Sequence, residues 1–177
     1  MSKINFIRYD SRKHSDRLFH IMMNSEQQYL FLCHNNINSV QEFGEWIERQ
    51  LRGFYYNFYL VEVDDDIVGY VCGCNYNPIN RNCSITTYID DEWQGSGIGA
   101  FVTLRFLKEI FTFHPIRRVF CEAYAYNHAS LDTIRAAGFA EYGRYPEYRY
   151  FQGEYHDLYI FSISADEFLK RYSDIKI

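Results

Sequence analysis

The sequence predicts an α/β fold of the α+β kind: a mixed, mostly antiparallel sheet of six to seven strands with helices on both faces. Three observations predict it. Residues 83–89 alternate, with Cys83, Ile85, Thr87 and Ile89 against Ser84, Thr86 and Tyr88, which is the period of a half-buried strand. The period then changes across a glycine-rich turn, and Ala100, Leu104, Leu107 and Phe111 fall at helical spacing, flanked by Phe101 and Ile110. Later, residues 118–124 and the run from Asn127 to Phe139 repeat the strand-to-helix pattern, after two strands that read as a hairpin.

The elements follow in order. Residues 4–9 read as a first strand, and 16–32 as a helix with Leu18, Ile21 and Met22 at core spacing. Residues 33–38 are a polar loop. Ser39-Val40-Gln41-Glu42 has the form of a capping box, in which serine and glutamate satisfy each other's exposed N–H groups. Val40, Phe43, Ile47 and Leu51 continue it as an amphipathic helix that Gly53 ends. Residues 57–63 and 67–75 are strands joined by Asp64-Asp65-Asp66, a solvated turn. A polar connection over 77–82 leads to the strand 83–89.

After the central helix, which leaves Arg105, Lys108, Glu109 and Thr112 for the wetter side, Pro115 breaks the pattern. The strand 118–124 then puts Val119, Cys121 and Ala123 on one face and Phe120, Glu122 and Tyr124 on the other. Asn127 is placed as the N-cap of a short helix and Gly138 as its stop. Residues 140–144 and 157–164 read as a closing pair of strands joined through 145–156, and 166–172 as a terminal helical turn.

Composition bounds the function. With 177 residues and 47% hydrophobic content the chain suits one domain, residues 1–177, burying about 70% of its unfolded surface. No apolar run nears the roughly 20 residues of a membrane span, and no signal peptide is read, so no membrane partner is expected and the cytoplasm is the default compartment. Five cysteines without regular spacing fit reduced thiols, and Cys72 and Cys74, two apart in a strand, face one side as small core residues. None of the six histidines stands at zinc-ligand spacing, so no metal is expected. A net charge of −5 argues against nucleic acid and for a cationic substrate. Aromatics at 19% fit a large core and an aromatic-lined pocket better than a base-stacking surface, because basic residues do not interleave them.

The turn itself reads Gln94-Gly95-Ser96-Gly97-Ile98-Gly99. Three glycines in five positions permit positive φ and keep β-carbons away from a ligand approaching the backbone. The first N–H groups of the following helix lack intrahelical partners and carry the positive end of the macrodipole, so a phosphate is the natural guest. The plain alternative is a simple turn. A P-loop is disfavoured because Ala100 and Phe101, not Lys and Ser or Thr, follow Gly99, and a dinucleotide fingerprint because its last position is Val102.

Gln94, Gly97 and Gly99 after a strand resemble the acetyl-CoA signature of the GNAT superfamily of N-acetyltransferases, [Gln/Arg]-x-x-Gly-x-[Gly/Ala]. Ile89 and Asp91 stand where that family usually has an aliphatic residue and often a proline. Asn127-x-x-Ser130 followed by Ala137-Gly138-Phe139 is similar to the family's second signature, and Gly153-x-Tyr155-x-Asp157 looks like the branch of ribosomal-protein and polyamine acetyltransferases. The two signatures and the elements between them cover residues 56–164, whereas the first 55 residues match only in pattern.

The resemblance implies the GNAT acyl-CoA N-acyltransferase fold and direct acetyl transfer from acetyl-CoA, as co-substrate, to a primary amine of a small molecule or a peptide N-terminus. It implies that Tyr88, Ile89 and Asp90 offer main-chain partners to the pantetheine arm, that Gln94, Gly95, Ser96, Gly97, Ile98 and Gly99 hold the pyrophosphate, and that an amide near Ile89 stabilises the oxyanion, a donor typically worth about 3 kcal/mol. Asn127 and Ser130 would hydrogen-bond the arm or its waters, Asn127 also being a candidate for simple capping.

The acceptor poses the larger problem. An alkylamine of pKa about 10.4 is neutral in only about 1 part in 2,500 at pH 7, which costs roughly 4.6 kcal/mol before attack. A base must collect a proton. Glu122, five residues before Asn127, where several relatives place a functional glutamate, is the leading candidate; a solvent-facing strand glutamate is the bland alternative. Many relatives protonate the thiolate with a tyrosine seven residues after the asparagine, but that position here is Ile134. Tyr124, Tyr126 or solvent would substitute. Arg144, Tyr145, Tyr148, Arg149 and Tyr150, with the loop 34–38, are candidate acceptor-site residues by position. Two rival readings remain at this level, a non-catalytic acyl-CoA-binding sensor or partner subunit, which the missing tyrosine favours, and an unrelated nucleotide-binding protein. A homodimer through a sheet edge is a further expectation.

Overall fold

The computed structural model describes residues 3–24, 37–53 and 55–173. In chain order these form β1 (Ile4–Arg8), α1 (Ser11–Asn24), α2 (Val40–Gly53), β2 (Tyr55–Val63), β3 (Asp66–Asn77), β4 (Asn82–Ile89), a 3-10 turn (Asp91–Trp93), α3 (Ile98–Phe113), β5 (Arg118–Tyr124), α4 (His128–Ala136), β6 (Ala140–Phe151), β7 (Glu154–Ser164) and α5 (Ala165–Tyr172). The strands build a seven-stranded sheet in the order β1-β2-β3-β4-β5-β7-β6. Its pairings are antiparallel except β4 with β5, which is parallel because α3 carries the chain over between them.

Strand alternation sends two sets of side chains to opposite faces. Leu60, Tyr70, Cys72 and Tyr88 go to one face and pack under Leu18, Ile21 and Met22 of α1 and Phe43, Trp46 and Ile47 of α2. Val61, Val71, Ile85, Ile89, Val119 and Phe161 go to the other, against Val102, Phe106 and Ile110 of α3, Leu131 and Ile134 of α4 and Phe168 of α5. Helices on both faces and a mixed sheet agree with the sequence expectation.

Several boundaries differ for local reasons. α1 starts at Ser11 rather than 16, because Asp10 caps it, its carboxylate accepting from the Arg12 N–H at 3.0 Å; the expected continuation to 32 lies outside the described residues beyond 24. At Ser39 only half of the capping box forms. The Ser39 hydroxyl accepts from the Glu42 N–H at 3.2 Å, but the Glu42 carboxylate accepts from Asn38, one residue early, at 2.8 Å. The full box is at Ser164 and Glu167, ahead of α5. β6 and β7 run on through most of the segment expected as a connection and turn only at Gln152-Gly153.

The core face of α3 is also rotated from the expectation. Ile98, Val102, Thr103, Phe106, Leu107 and Ile110 are buried, whereas Leu104 and Phe111 are half-buried and Phe101 is exposed.

Candidate functional site

The sheet opens where its single parallel pair comes apart. β4 and β5 are paired only at Asn82–Arg118, Cys83–Val119 and Ser84–Phe120. Beyond Ser84 the two strands diverge, and a cleft of about 640 Å³ runs between them, a volume typical of small-molecule sites. The cleft is lined on the α3 and α4 side by Gly95, Gly97, Gly99, Thr103 and Thr133, and on the other side by Tyr70, Tyr88, Glu122 and Tyr124. It therefore passes through the sheet from one face to the other.

Which main-chain groups face this gap follows from the β3–β4 register. The Asp90 N–H donates to the Val68 carbonyl at 2.8 Å. In an antiparallel ladder the bonded pairs alternate, so Tyr88 with Tyr70, and Thr86 with Cys72, are bonded to β3 as well. The polar backbone of Cys83, Ile85, Thr87 and Ile89 consequently points the other way, toward β5; Cys83 and the Ile85 N–H are used in the last pairing with β5, at Ser84–Phe120, and Thr87 and Ile89 face the space that β5 has vacated. This corrects the expectation for Tyr88 and Asp90: the main chain of Tyr88 and the Asp90 N–H are committed to β3, the Asp90 carbonyl accepts from the Trp93 N–H at 2.8 Å, and only Ile89 of the three points into the cleft. Thr87 joins it, a residue that sequence reasoning missed because the alternation gives no phase without the register.

The lip of β4 depends on a close approach. A β-carbon on Gly69, paired with Ile89, would overlap the Tyr88 carbonyl and lie 3.0 Å from the Ile89 Cα. Glycine thus lets β3 draw the end of β4 inward.

At the start of α3, Gly95 and Gly97 have φ of 74° and 84°, the left-handed region, and added β-carbons there would meet open space. Gly99 is ordinary helix, with an added β-carbon 3.6 Å from Thr133, so its expected role in positive φ is not observed. Ser96 holds the turn, its hydroxyl donating to the Trp93 carbonyl at 2.5 Å and accepting a long 3.4 Å contact from the Ile98 N–H. Ile98 itself buries its side chain in the core. Among the described residues the amides of Gly99 and Ala100 donate to no protein group. Gln94 braces the turn instead of reaching into it, its side-chain amide donating to the Ile89 carbonyl at 3.2 Å and to Asp91 Oδ1 at 2.6 Å.

Asn127 caps α4, its side-chain oxygen accepting from the Ser130 N–H at 3.0 Å, and both residues line the cleft. Ile134 lines it too and brings no proton donor. Glu122 is exposed and, among the described residues, its carboxylate makes no hydrogen bond or ion pair. Burial pushes the neighbouring thiols up, Cys74 to about 11 and Cys121 further, and the charge of Glu122 adds to both. These thiols are therefore protonated and inert at neutral pH.

Tyr124 lines the cleft with Arg149 5.6 Å over its ring. Tyr126 does not line it; its ring stacks on Tyr124 at 5.5 Å and packs against Phe151 and His156. Of the other acceptor-site candidates, Arg144 is paired with Asp157 at 3.3 Å, and Tyr145, Tyr148 and Tyr150 project from β6 outside the cleft. In the loop 34–38, residues 34–36 lie outside the described residues.

A splayed parallel pair with outward-facing main chain on one strand, beside a helix start with unpartnered amides, is the arrangement of an acyl-CoA N-acyltransferase. The comparisons agree. The chain belongs to the GNAT acetyltransferases: the model of the acetyltransferase (GNAT) domain matches residues 6–140. It is 25% identical over 130 residues, 73% of each chain, to the SPbeta prophage-derived N-acetyltransferase YokL of Bacillus subtilis. Its fold is similar to that of RimL, the ribosomal L7/L12 alpha-N-protein acetyltransferase solved with coenzyme A, at a TM-score of 0.77 and 20% identity, covering 93% of this chain and 95% of that one. It is also similar to a spermidine N-acetyltransferase SpeG chimera from Vibrio cholerae and hSSAT, at a TM-score of 0.78 and 22% identity, covering 96% and 100%. The chain is an acetyl-CoA-dependent N-acetyltransferase.

Proposed function

We propose that acetyl transfer takes place in the gap between β4 and β5, with the cofactor entering from the α3–α4 side and the acceptor amine from the opposite face. The observation that carries this reading is the divergence of the two strands after Ser84, which opens a through-passage with Thr87 and Ile89 turned into it. Acetyl-CoA supplies an activated thioester. The amides of Gly99 and Ala100, with the open positive-φ turn at Gly95 and Gly97, hold its diphosphate, and the macrodipole of α3 adds to that attraction. The Ile89 N–H is the oxyanion donor.

Glu122 takes the proton from the incoming ammonium, directly or through a water, since its carboxylate lies on the acceptor face without a protein partner among the described residues. Tyr124, rather than Tyr126, is placed to return a proton to the thiolate, because it is the one that lines the cleft. Asn127 serves chiefly as the cap that fixes α4 beside the passage.

The acceptor is a small amine or a peptide amine; the neighbours named above act on a protein α-amine and on spermidine. The same proposal includes one domain, a reducing compartment such as the cytoplasm, in keeping with Cys72, Cys74, Cys83 and Cys121 as buried free thiols, and a homodimer through the edge strand β6. Release of CoA thiol, measured with a panel of polyamines, amino acids, aminoglycosides and peptides, tests it. Turnover on at least one primary amine is expected; tight acetyl-CoA binding with no turnover on any of them contradicts it and returns the chain to a sensor role.

A further inference from the structure

A second hollow, of about 690 Å³, lies at the opposite end of β4 and β5 from the glycine turn, and three guanidiniums border it: Arg81, Arg117 and Arg118. Two of them are held in place. Arg81 Nε donates to the Pro115 carbonyl at 2.9 Å, and an Arg118 terminal nitrogen donates to Ser162 Oγ at 2.9 Å while the guanidinium lies 6.0 Å from the centre of the Tyr142 ring. Among the described residues none of the three forms an ion pair. Glu167, the carboxylate that feels Arg118, is spent on Ser164. In a chain of net charge −5, three unpaired arginines around one hollow mark a place for an anion.

The hollow and the cleft are bordered by residues of the same strand face. Arg118, Phe120 and Glu122 occupy alternate positions of β5 and so project from one face, spanning about 13 Å at roughly 3.3 Å per residue. Phe120 and Tyr142, edge to face at 5.3 Å, form the floor between them. α1 and α2 cover β2 and β3 on this face, and no described helix lies over β5, β7 and β6 there.

Resting on the reading that Glu122 receives the acceptor amine, we propose that this floor is the track of a polypeptide acceptor whose acidic side chains, about four residues beyond the acetylated amine, are held by Arg81, Arg117 and Arg118. The separation sets that number, since an extended chain advances at most about 3.3 to 3.6 Å per residue. The charge sets the class: a polyamine lying along the same track would bring its distal ammonium into three guanidiniums, whereas a carboxylate meets forked donors that fit it in pairs. An aromatic floor suits a peptide backbone and its apolar side chains.

The test uses two peptides of nine residues with a free N-terminus, identical except for Asp-Asp or Asn-Asn at positions four and five, with the wild-type enzyme and Arg117→Glu. Arg117 is chosen because its side chain makes no contact that the fold uses. The acidic peptide is expected to show about tenfold higher kcat/KM, the difference residing in KM, shrinking to about twofold in 0.5 M salt and vanishing or reversing in Arg117→Glu. Titration with the same peptides already N-acetylated is expected to give the same order of affinity, a readout that needs no turnover. Equal values for the two peptides, or a preference that survives Arg117→Glu, overturns the proposal, as does displacement of the acidic peptide by an oligonucleotide at lower concentration than by a second acidic peptide. If spermidine is acetylated and neither peptide is, the track fails while the catalytic reading stands; if no amine is acetylated, the catalytic reading fails and the titration alone decides the track.

Discussion

Glu122 stands on the outward face of a strand whose inward neighbours, Cys121 and Ala123, are buried, so a single alternation separates the carboxylate proposed as the base from the core. Its proposed usefulness comes from position: it lines the same passage that Ile89 and Thr87 face. Replacing it with glutamine keeps the shape and removes the proton acceptor. Glu122→Gln is therefore expected to lower kcat by about 100-fold or more while the Kd for acetyl-CoA, measured by calorimetry, stays within about twofold. An unchanged kcat would assign proton removal to solvent. Tyr124 and Tyr126 show how far a motif reaches at this scale: the sequence left both open, and only the fold separates a ring that lines the cleft from one sunk among Phe151 and His156.

At the scale of elements, the passage exists because β4 bends toward β3 and away from β5, and Gly69 permits that bend. Gly69→Ala introduces a β-carbon where the Tyr88 carbonyl sits. Overpacking of this kind costs about 1 to 3 kcal/mol, and relief by moving β4 would shift the Ile89 main chain. A lowered Tm together with a rise of about tenfold in KM for acetyl-CoA, with kcat for saturating cofactor changed less, is expected from thermal melts and steady-state rates. A variant that loses stability but keeps its KM would show that the lip of β4 does not set cofactor binding. The strand β5 was legible in the sequence because it buries one set of alternating side chains, β3 because it is a largely apolar run after an aspartate turn, buried on both faces from Val68 to Cys74, and the glycine turn because Gly95 and Gly97 adopt a conformation that other residues resist. The buried stripe of α3 was not, because from Ile98 to Leu104 the one polar side chain is Thr103, which is itself buried, so the start of the helix gives no polar face to fix the phase. Thr87 was hidden for a different reason, since which amides face outward depends on the partner strand. The arginine cluster comes from residues 81, 117 and 118, which only the pairing of β4 with β5 brings together.

Across the whole molecule, the sheet divides two apolar layers, and among the described residues no helix covers the β5–β7–β6 face opposite α3, which on the proposed reading lets cofactor and acceptor reach the gap from opposite sides. The layers bury Cys72, Cys74, Cys83 and Cys121 as thiols, with burial pushing Cys74 and Cys83 up to about 11 and the other two upward as well. In the unfolded chain these groups ionise near pH 8.5, so above that pH the unfolded state releases protons that the folded state retains. Stability is then lost with rising pH, by about 1.4 kcal/mol per pH unit for each thiol until its folded value is passed. Urea unfolding under reducing conditions should show a midpoint clearly lower at pH 9.5 than at pH 7.5; equal midpoints would mean that the thiols are not protected in the fold. The central claim concerns the free amides ahead of α3 and along β4, and backbone amide NMR during titration with CoA tests it most directly. The account predicts that the resonances of Gly95, Gly97, Gly99, Ala100, Thr87 and Ile89 shift together with one saturation curve. Saturable binding that leaves those resonances in place and moves Arg81, Arg117 and Arg118 instead would contradict it.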